Sequence, residues 1–430
     1  LAYGPYSIYA HYFDIDWDPL KPELHGKILL PFLGNTYGEV LDQGEIIITY
    51  DRGRFYASYF ENRYALSPAT YATVLSLILP HFERTDDYWD FKDLIDAYSS
   101  IQPDEREKAE ALRPRLLTYA ARHNLNELLS GISKEDIHAL LERQFWRLSY
   151  WKTAGYEINY RRFFDINELV GLRMEDEHIF WDQHRLLGEL LAQEGIYGVR
   201  IDHIDGLFDP HKYLYSLRAL GAQHIWVEKI LARGEILPHE WPVEGTTGYE
   251  FINDVVRVLL QQEGYTPLKR TFQPFVSSSK SYDQIVYESK QLITSTALSS
   301  ELFRLAYELD RISEADYRTR DFTLEALREA LSETVAAFNR YRTYLPYDRE
   351  DAQEVVREVI YRVQQRNPAM ESSVYRFLED IILGRVHEDL KDEQRAWVGR
   401  FQQYTAPVAA KGVEDTAFYR YLLLLALNEV

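Results

Sequence analysis

Apolar residues recur along this chain with two different periods, and the changes of period mark its organisation. From residue 1 to about 75 the pattern is short and irregular. Lys27-Ile28-Leu29-Leu30-Pro31 and Glu45-Ile46-Ile47-Ile48-Thr49-Tyr50 read as strands, with Gly34 and Gly38 punctuating the stretch between them. From about 67 to 150 the period turns helical. Ser133 with Asp136 predicts a capped helix start, with Ile137, Leu140, Leu141, Phe145 and Leu148 following on one face.

Between about 155 and 255 the period predicts strand, helix, strand. Ile196 to Asp202 is an apolar run ending in polar residues, Pro210 to Leu220 is a helix, and His224 to Glu228 is a second strand. Two strands joined by so short a crossover imply a parallel βαβ unit. From about 255 to 405 the pattern is helical almost throughout. Thr323 caps a stripe of Leu324, Leu327, Leu331, Val335 and Phe338, and a second stripe of Val374, Phe377, Leu378 and Ile381 ends at Gly384. The expected divisions are therefore 1–150, mixed then helical; 151–255, the strand–helix–strand segment; 256–405, a helical subdomain; and 406–430.

Composition narrows the function. Forty-eight basic against 68 acidic residues give a net charge of −20, which disfavours nucleic acid and anionic membrane and suits a neutral substrate. The absence of cysteine excludes disulfides, thiolate metal sites and a cysteine nucleophile within these 430 residues. No run approaches the roughly 20 apolar residues of a membrane span. The 33 tyrosines and 8 tryptophans suit sugars, whose apolar faces and hydroxyl rims match aromatic rings with polar tips, although large cores also collect aromatics. A first residue that is not Met, and the apolar run Leu422 to Leu425 close to the last residue, lead us to expect an internal piece of a longer protein.

The polar ends of the two central strands carry the candidate chemistry. Period-two alternation puts Arg200 and Asp202 on one strand face, and His224, Trp226 and Glu228 on one face of the next. A carboxylate beside a cation is a competent nucleophile. Two carboxylates ending successive parallel strands are also the arrangement a retaining glycosidase needs, with Trp226 placed to desolvate Glu228. Taken alone, an Asp at a strand end is most often a turn residue or helix cap, and Asp205-Gly206 would then form the corner. The acidic residues lack the alternating spacing of a calcium loop.

A family resemblance decides between these readings. Gly198-Val199-Arg200-Ile201-Asp202-His203-Ile204-Asp205-Gly206-Leu207 resembles the nucleophile segment of the alpha-amylase superfamily (glycoside hydrolase family 13), and Trp226-Val227-Glu228-Lys229-Ile230-Leu231 its acid/base segment. Longer stretches resemble the maltooligosyl trehalose synthases within that superfamily. They include Tyr12 to Trp17, Leu29 to Gly34, Ile158 to Leu169, Pro242 to Phe251, Tyr341-Arg342-Thr343-Tyr344, and Ala410 to Tyr421.

The resemblance implies an α/β fold, a partial (β/α)8 barrel of the alpha-amylase type with large, mainly helical insertions. It implies Asp202 as nucleophile, Glu228 as general acid and then base, and Arg200 as the cation orienting Asp202. His203 and Lys229 would contact sugar hydroxyls, and Tyr249 and Lys411 would be either substrate contacts or core and surface supports. No cofactor or metal is implied. The expected reaction turns the reducing-end α-1,4 link of a maltooligosaccharide into an α,α-1,1 link, in the cytoplasm, alongside a maltooligosyltrehalose trehalohydrolase. The alternatives are amylase-type hydrolysis and a non-catalytic glucan-binding barrel. The family's Asn-His segment and its His-Asp segment, which bears a third carboxylate, are not found here. They are expected before Leu1 and beyond Val430, so the 430 residues alone are expected to be inactive.

Overall fold

The computed structural model describes residues 1–386, 388–421 and 423; His387, Leu422 and 424–430, with most of the apolar run near the end, lie outside the described residues. The chain divides into two compact units, Leu1–Arg162 with Ile166–Leu172, and Phe163–Asp165 with Arg173–Val430.

In the first unit β1 (Ile28–Leu33) is buried along almost its whole length, as a strand covered on both faces must be. An antiparallel meander follows, β2 (Ile46–Asp51), β3 (Arg54–Tyr59) and β4 (Asn62–Ala65). The two-residue turn between β2 and β3 is Arg52-Gly53, both at positive φ (45° and 80°), which matches the twist of the flanking strands. Helices α1 (Tyr71–Ile78), α2 (Tyr88–Ser99) and α3 (Arg106–Arg122) carry the aromatic part of the core. There Phe82 stacks on Phe91 at 4.1 Å and Tyr119 meets Phe91 edge-on at 5.1 Å.

The expected start of α4 (Lys134–Leu141) is observed, with the Ser133 hydroxyl accepting from the Asp136 N–H at 3.1 Å. Its expected length is not. The helix stops at Leu141, and Trp146–Tyr150 forms β5, parallel to β1 with Leu148 opposite Leu30. Phe145 and Leu148 satisfy a helical stripe by spacing, but the unpaired edge of β1 gives this stretch a hydrogen-bonding partner that a longer helix would leave unmet. The buried Gln144 marks the change, donating to the Leu140 carbonyl at 2.7 Å and accepting from the Ser67 N–H at 2.8 Å.

In the second unit β6 (Gly198–Ile201), α5 (Pro210–Leu220) and β7 (His224–Val227) form the expected parallel βαβ unit, and β8 (Gly245–Thr246) pairs parallel with β7 on its other side. The crossover helix starts and stops where its sequence says. Asp209 accepts from the Lys212 N–H at 2.9 Å, Pro210 occupies the first turn, and Gly221 closes the helix at φ 115°. Both strands end slightly earlier than expected, so Asp202 and Glu228 are the first residues past them.

A helical body follows: α6 (Tyr249–Leu259), α7 (Tyr282–Ser295), α8 (Ser299–Glu314), α9 (Leu324–Ala337), α10 (Arg349–Arg366), α11 (Ser372–Ile382) and α12 (Lys391–Ala409), continuing into a π-helical stretch, Ala410–Ala417. Thr323 caps α9 as expected, accepting from the Ala326 N–H. Leu309, Leu331, Val359, Leu378, Trp397 and Phe401 sit in one buried cluster, with Trp397 and Phe401 stacked at 5.2 Å.

Candidate active site

Register sets the site. Arg200 stands opposite Trp226 and Ile201 opposite Val227. Ile225 and Val227 are fully buried on one face of the sheet, leaving Arg200 and Trp226 on the open face. The ladder runs one bond beyond the strands, because the Glu228 N–H donates to the Ile201 carbonyl at 2.7 Å and so holds Glu228 alongside the Asp202 position. One guanidinium then serves both carboxylates. Arg200 Nη1 donates to Asp202 Oδ1, and its Nη2 lies 3.3 Å from Glu228 Oε1. The bond to Asp202 pushes the Arg200 pKa up, with the charges of Asp202 and Glu228 adding to it.

Glu228 has two further donors. The His203 N–H reaches Oε2 at 2.7 Å, and the Tyr249 hydroxyl reaches Oε1 at 3.3 Å. The first depends on an unusual backbone: His203 is left-handed, φ 48° and ψ 48°, a conformation that costs a non-glycine residue about 1 kcal/mol or more. Its imidazole packs against Phe163 and Phe164, ring centres 5.1 and 4.3 Å away. Gly206 makes room for that ring, since a Cβ there would lie 2.2 Å from His203 Cδ2. Tyr249 opens α6 directly after Gly248, whose φ of 96° turns the chain from β8 into the helix. The Trp226 ring lies against His224 and is 42% exposed, which limits how far it can desolvate its surroundings.

Lys229 departs from expectation. Its side chain has no solvent exposure, and its ammonium lies 3.2 Å from Asp205 Oδ2 and 3.0 Å from Glu235 Oε1. Alternation along β7 explains this, because Ile225, Val227 and Lys229 share the buried face while Glu228 takes the other. Lys229 is therefore turned away from the open face that carries Asp202. Asp205, Glu235, Arg342 and Tyr344 are residues that sequence reasoning passed over as site elements. The Tyr344 hydroxyl donates to Asp205 Oδ1 at 2.5 Å, and Arg342 Nη1 donates to the carbonyls of Asp205, at 2.9 Å, and of Leu207. Burial lowers the Arg342 pKa and raises that of Tyr344 well above its usual value, with the Asp205 carboxylate pushing both upward. Arg342 and Tyr344 lie more than 130 residues from Asp205, so no local period could join them.

Lys411 stands in the π-helical stretch and bonds Asp415 at 2.9 Å and Asp165 at 3.1 Å. Burial pulls its pKa down, but the bonds to Asp415 and Asp165 outweigh that and hold it above the usual lysine value. Its ammonium lies 5.8 Å from the Phe164 ring, the ring that packs on His203. Arg200, Asp202, His203, Glu228 and Tyr249 thus form one contact group. Lys411 reaches it through Phe164, and Lys229 lies beneath it.

No family model matches the chain. A protein of Mycobacterium tuberculosis described as "Putative maltooligosyl trehalose synthase" is 31% identical over 297 residues, which are 68% of this chain and 35% of that protein. The solved maltooligosyltrehalose synthase of Arthrobacter ramosus matches 99% of this chain and 43% of its own at a TM-score of 0.71 and 30% identity. The chain is a homologue of the maltooligosyl trehalose synthases. A solved "DSM5389 glycosyltrehalose synthase" agrees, with a TM-score of 0.66 and 26% identity over 98% of this chain. This chain spans between about a third and somewhat under half the length of these synthases. Its fold is accordingly a partial (β/α)8 barrel of their type with large, mainly helical insertions, in which Asp202 and Glu228 directly follow the parallel strands β6 and β7.

Proposed function

We propose that this chain supplies the nucleophile and the acid/base of a (1→4)-α-D-glucan 1-α-D-glucosylmutase. The observation that carries the reading is the shared cation, with Arg200 touching both Asp202 and Glu228 at adjacent parallel strand ends.

Asp202 attacks the anomeric carbon of the glucosyl unit next to the reducing end. The C1–O4 bond breaks, and Glu228 gives its proton to the departing O4, leaving a covalent glucosyl–Asp202 ester and a free glucose. That glucose turns within the site and presents its own anomeric hydroxyl. Glu228 takes the hydroxyl proton, the oxygen attacks C1 and the ester to Asp202 breaks, so two inversions give net retention and an α,α-1,1 link. Arg200 keeps Asp202 oriented throughout. The backbone N–H of His203 and the hydroxyl of Tyr249 fix the Glu228 carboxylate, and Tyr249, His203 and Lys411 are the residues we assign to the sugar.

Activity belongs to the complete protein with the third carboxylate of the family, and the 430 residues alone are expected to give no turnover. Among the described residues no helix is long and apolar enough to cross a membrane. The resemblance to the synthases carries the proposed cytoplasmic location beside a trehalohydrolase that consumes the product.

Incubating the complete enzyme with maltopentaose and following the anomeric protons by NMR tests the reaction. Loss of reducing-end signals with a new α,α-1,1 signal is expected. Maltose and glucose as the sole products would instead establish a hydrolase.

A further inference from the structure

The ion cluster beneath the carboxylates is used by neither the proton transfers nor the sugar contacts. Lys229 follows Glu228 directly, and Asp205 comes three residues after Asp202. Glu228 and Asp202 meet Arg200 on the open face, while their neighbours meet each other in the interior: the Lys229 ammonium lies 3.2 Å from Asp205 and 3.0 Å from Glu235, and donates to the Ile230 carbonyl at 3.2 Å. An ammonium has three N–H groups, and these acceptors lie on two loops, one after each strand.

The second oxygen of Asp205 receives the Tyr344 hydroxyl, and Glu235 also accepts from the Ala232 N–H at 2.8 Å, so both carboxylates are anchored from the far side. The rings of Tyr341 and Tyr344 lie 5.4 and 5.8 Å from the ammonium and close the cluster to water. Apolar side chains of the same volume would fill this floor at least as stably, since a buried ion pair seldom repays its desolvation. What ions add is a fixed direction between partners. The same pair of loops is joined above by Arg200 and by the His203 N–H to Glu228, so the two loops are tied on both faces.

We propose that Lys229 is a positioning residue, which through Asp205 and Glu235 sets the nucleophile loop against the acid/base loop without touching substrate. The inference rests on the roles proposed for Asp202 and Glu228.

The test compares wild type with Lys229→Met, and with Lys229→Met/Glu235→Gln, which removes one buried charge of each sign and keeps the floor balanced. Each is measured in the complete enzyme for kcat and KM on maltopentaose, for the ratio of isomerised to hydrolysed product, and by crystallography. The expected result in whichever variant folds is a kcat lowered by about 100-fold, the loss that follows a displacement of about 1 Å between reacting groups, with KM nearly unchanged and a larger share of hydrolysis. In the crystals Glu228 should have left Arg200 or the His203 N–H. Unchanged kcat and product ratio in a folded variant, whatever its melting temperature, would overturn the inference. Should wild type leave maltopentaose untouched, the functional reading fails by itself, and the crystal structures decide: displaced loops support the positioning role, and superimposable loops refute it.

Discussion

Arg200 is the residue on which the site turns, because its two terminal nitrogens reach two carboxylates from one rigid plane. A lysine has the charge but not the fork. Arg200→Lys is therefore expected to lower kcat by roughly tenfold or more with the fold intact, measured by steady-state kinetics and circular dichroism together. Asp202→Asn and Glu228→Gln should each lower kcat by about three orders of magnitude, since in the proposed mechanism each removes a group that makes or breaks a bond. These residues were legible in the sequence as candidates, because strand alternation and the family's two motifs point to the same positions, and the structure brings them together on one guanidinium. The inward turn of Lys229 was legible by alternation alone, and the resemblance drew attention away from it. The pairing of Asp205 with Arg342 and Tyr344 was not legible, since it joins side chains with no common local pattern. One further residue gives a pH test. Lys290 is buried with its ammonium on the Phe338 carbonyl at 2.6 Å, and burial lowers its pKa to about 8. The folded state then holds fewer protons than the unfolded state between that value and the ordinary lysine range near 10.4. Stability from this group should rise as pH climbs through that window, by on the order of 3 kcal/mol, and the rise should vanish in Lys290→Met when urea unfolding is followed from pH 7 to 10.

At the scale of elements, the helices that carry their own punctuation fell where their sequences put them. Pro210 to Leu220 begins at an Asp cap and ends at a left-handed Gly, and α9 begins at Thr323. Thr323→Ala is expected to cost about 1 kcal/mol in urea unfolding, the ordinary worth of a cap hydrogen bond. The stretch after Leu141 misled because Phe145 and Leu148 continue a helical count, while Trp146, Leu148 and Tyr150 also alternate as a strand does. Only the long-range ladder to β1 separates the two readings. Helix α12 meets the loop that follows Asp202 closely. A Cβ at Gly399 would lie 2.1 Å from the Phe208 ring, and Gln403 donates to the Gly206 carbonyl at 2.9 Å. Gly399→Ala is expected to destabilise by about 1–3 kcal/mol, as overpacking does, and to lower kcat as well, because it pushes on the loop that carries Asp202. Loss of stability with unchanged kcat would uncouple α12 from the site.

For the molecule as a whole, parallel strand pairs in both units and a largely helical body follow the plan of the maltooligosyl trehalose synthases over 98–99% of this chain. The net charge of −20 acts at this scale too, by keeping polyanions away, which suits the neutral glucan proposed as substrate. The central claim is that Asp202 becomes glucosylated. It is tested most directly by treating the complete enzyme carrying Glu228→Gln with a fluorinated glucosyl fluoride, which glycosylates the carboxylate quickly with loss of fluoride and turns over slowly, and then mapping the adduct by peptide mass spectrometry. A single glucosyl adduct on Asp202 is the predicted result. An adduct on another residue, or an unlabelled protein that nevertheless releases fluoride, would contradict it.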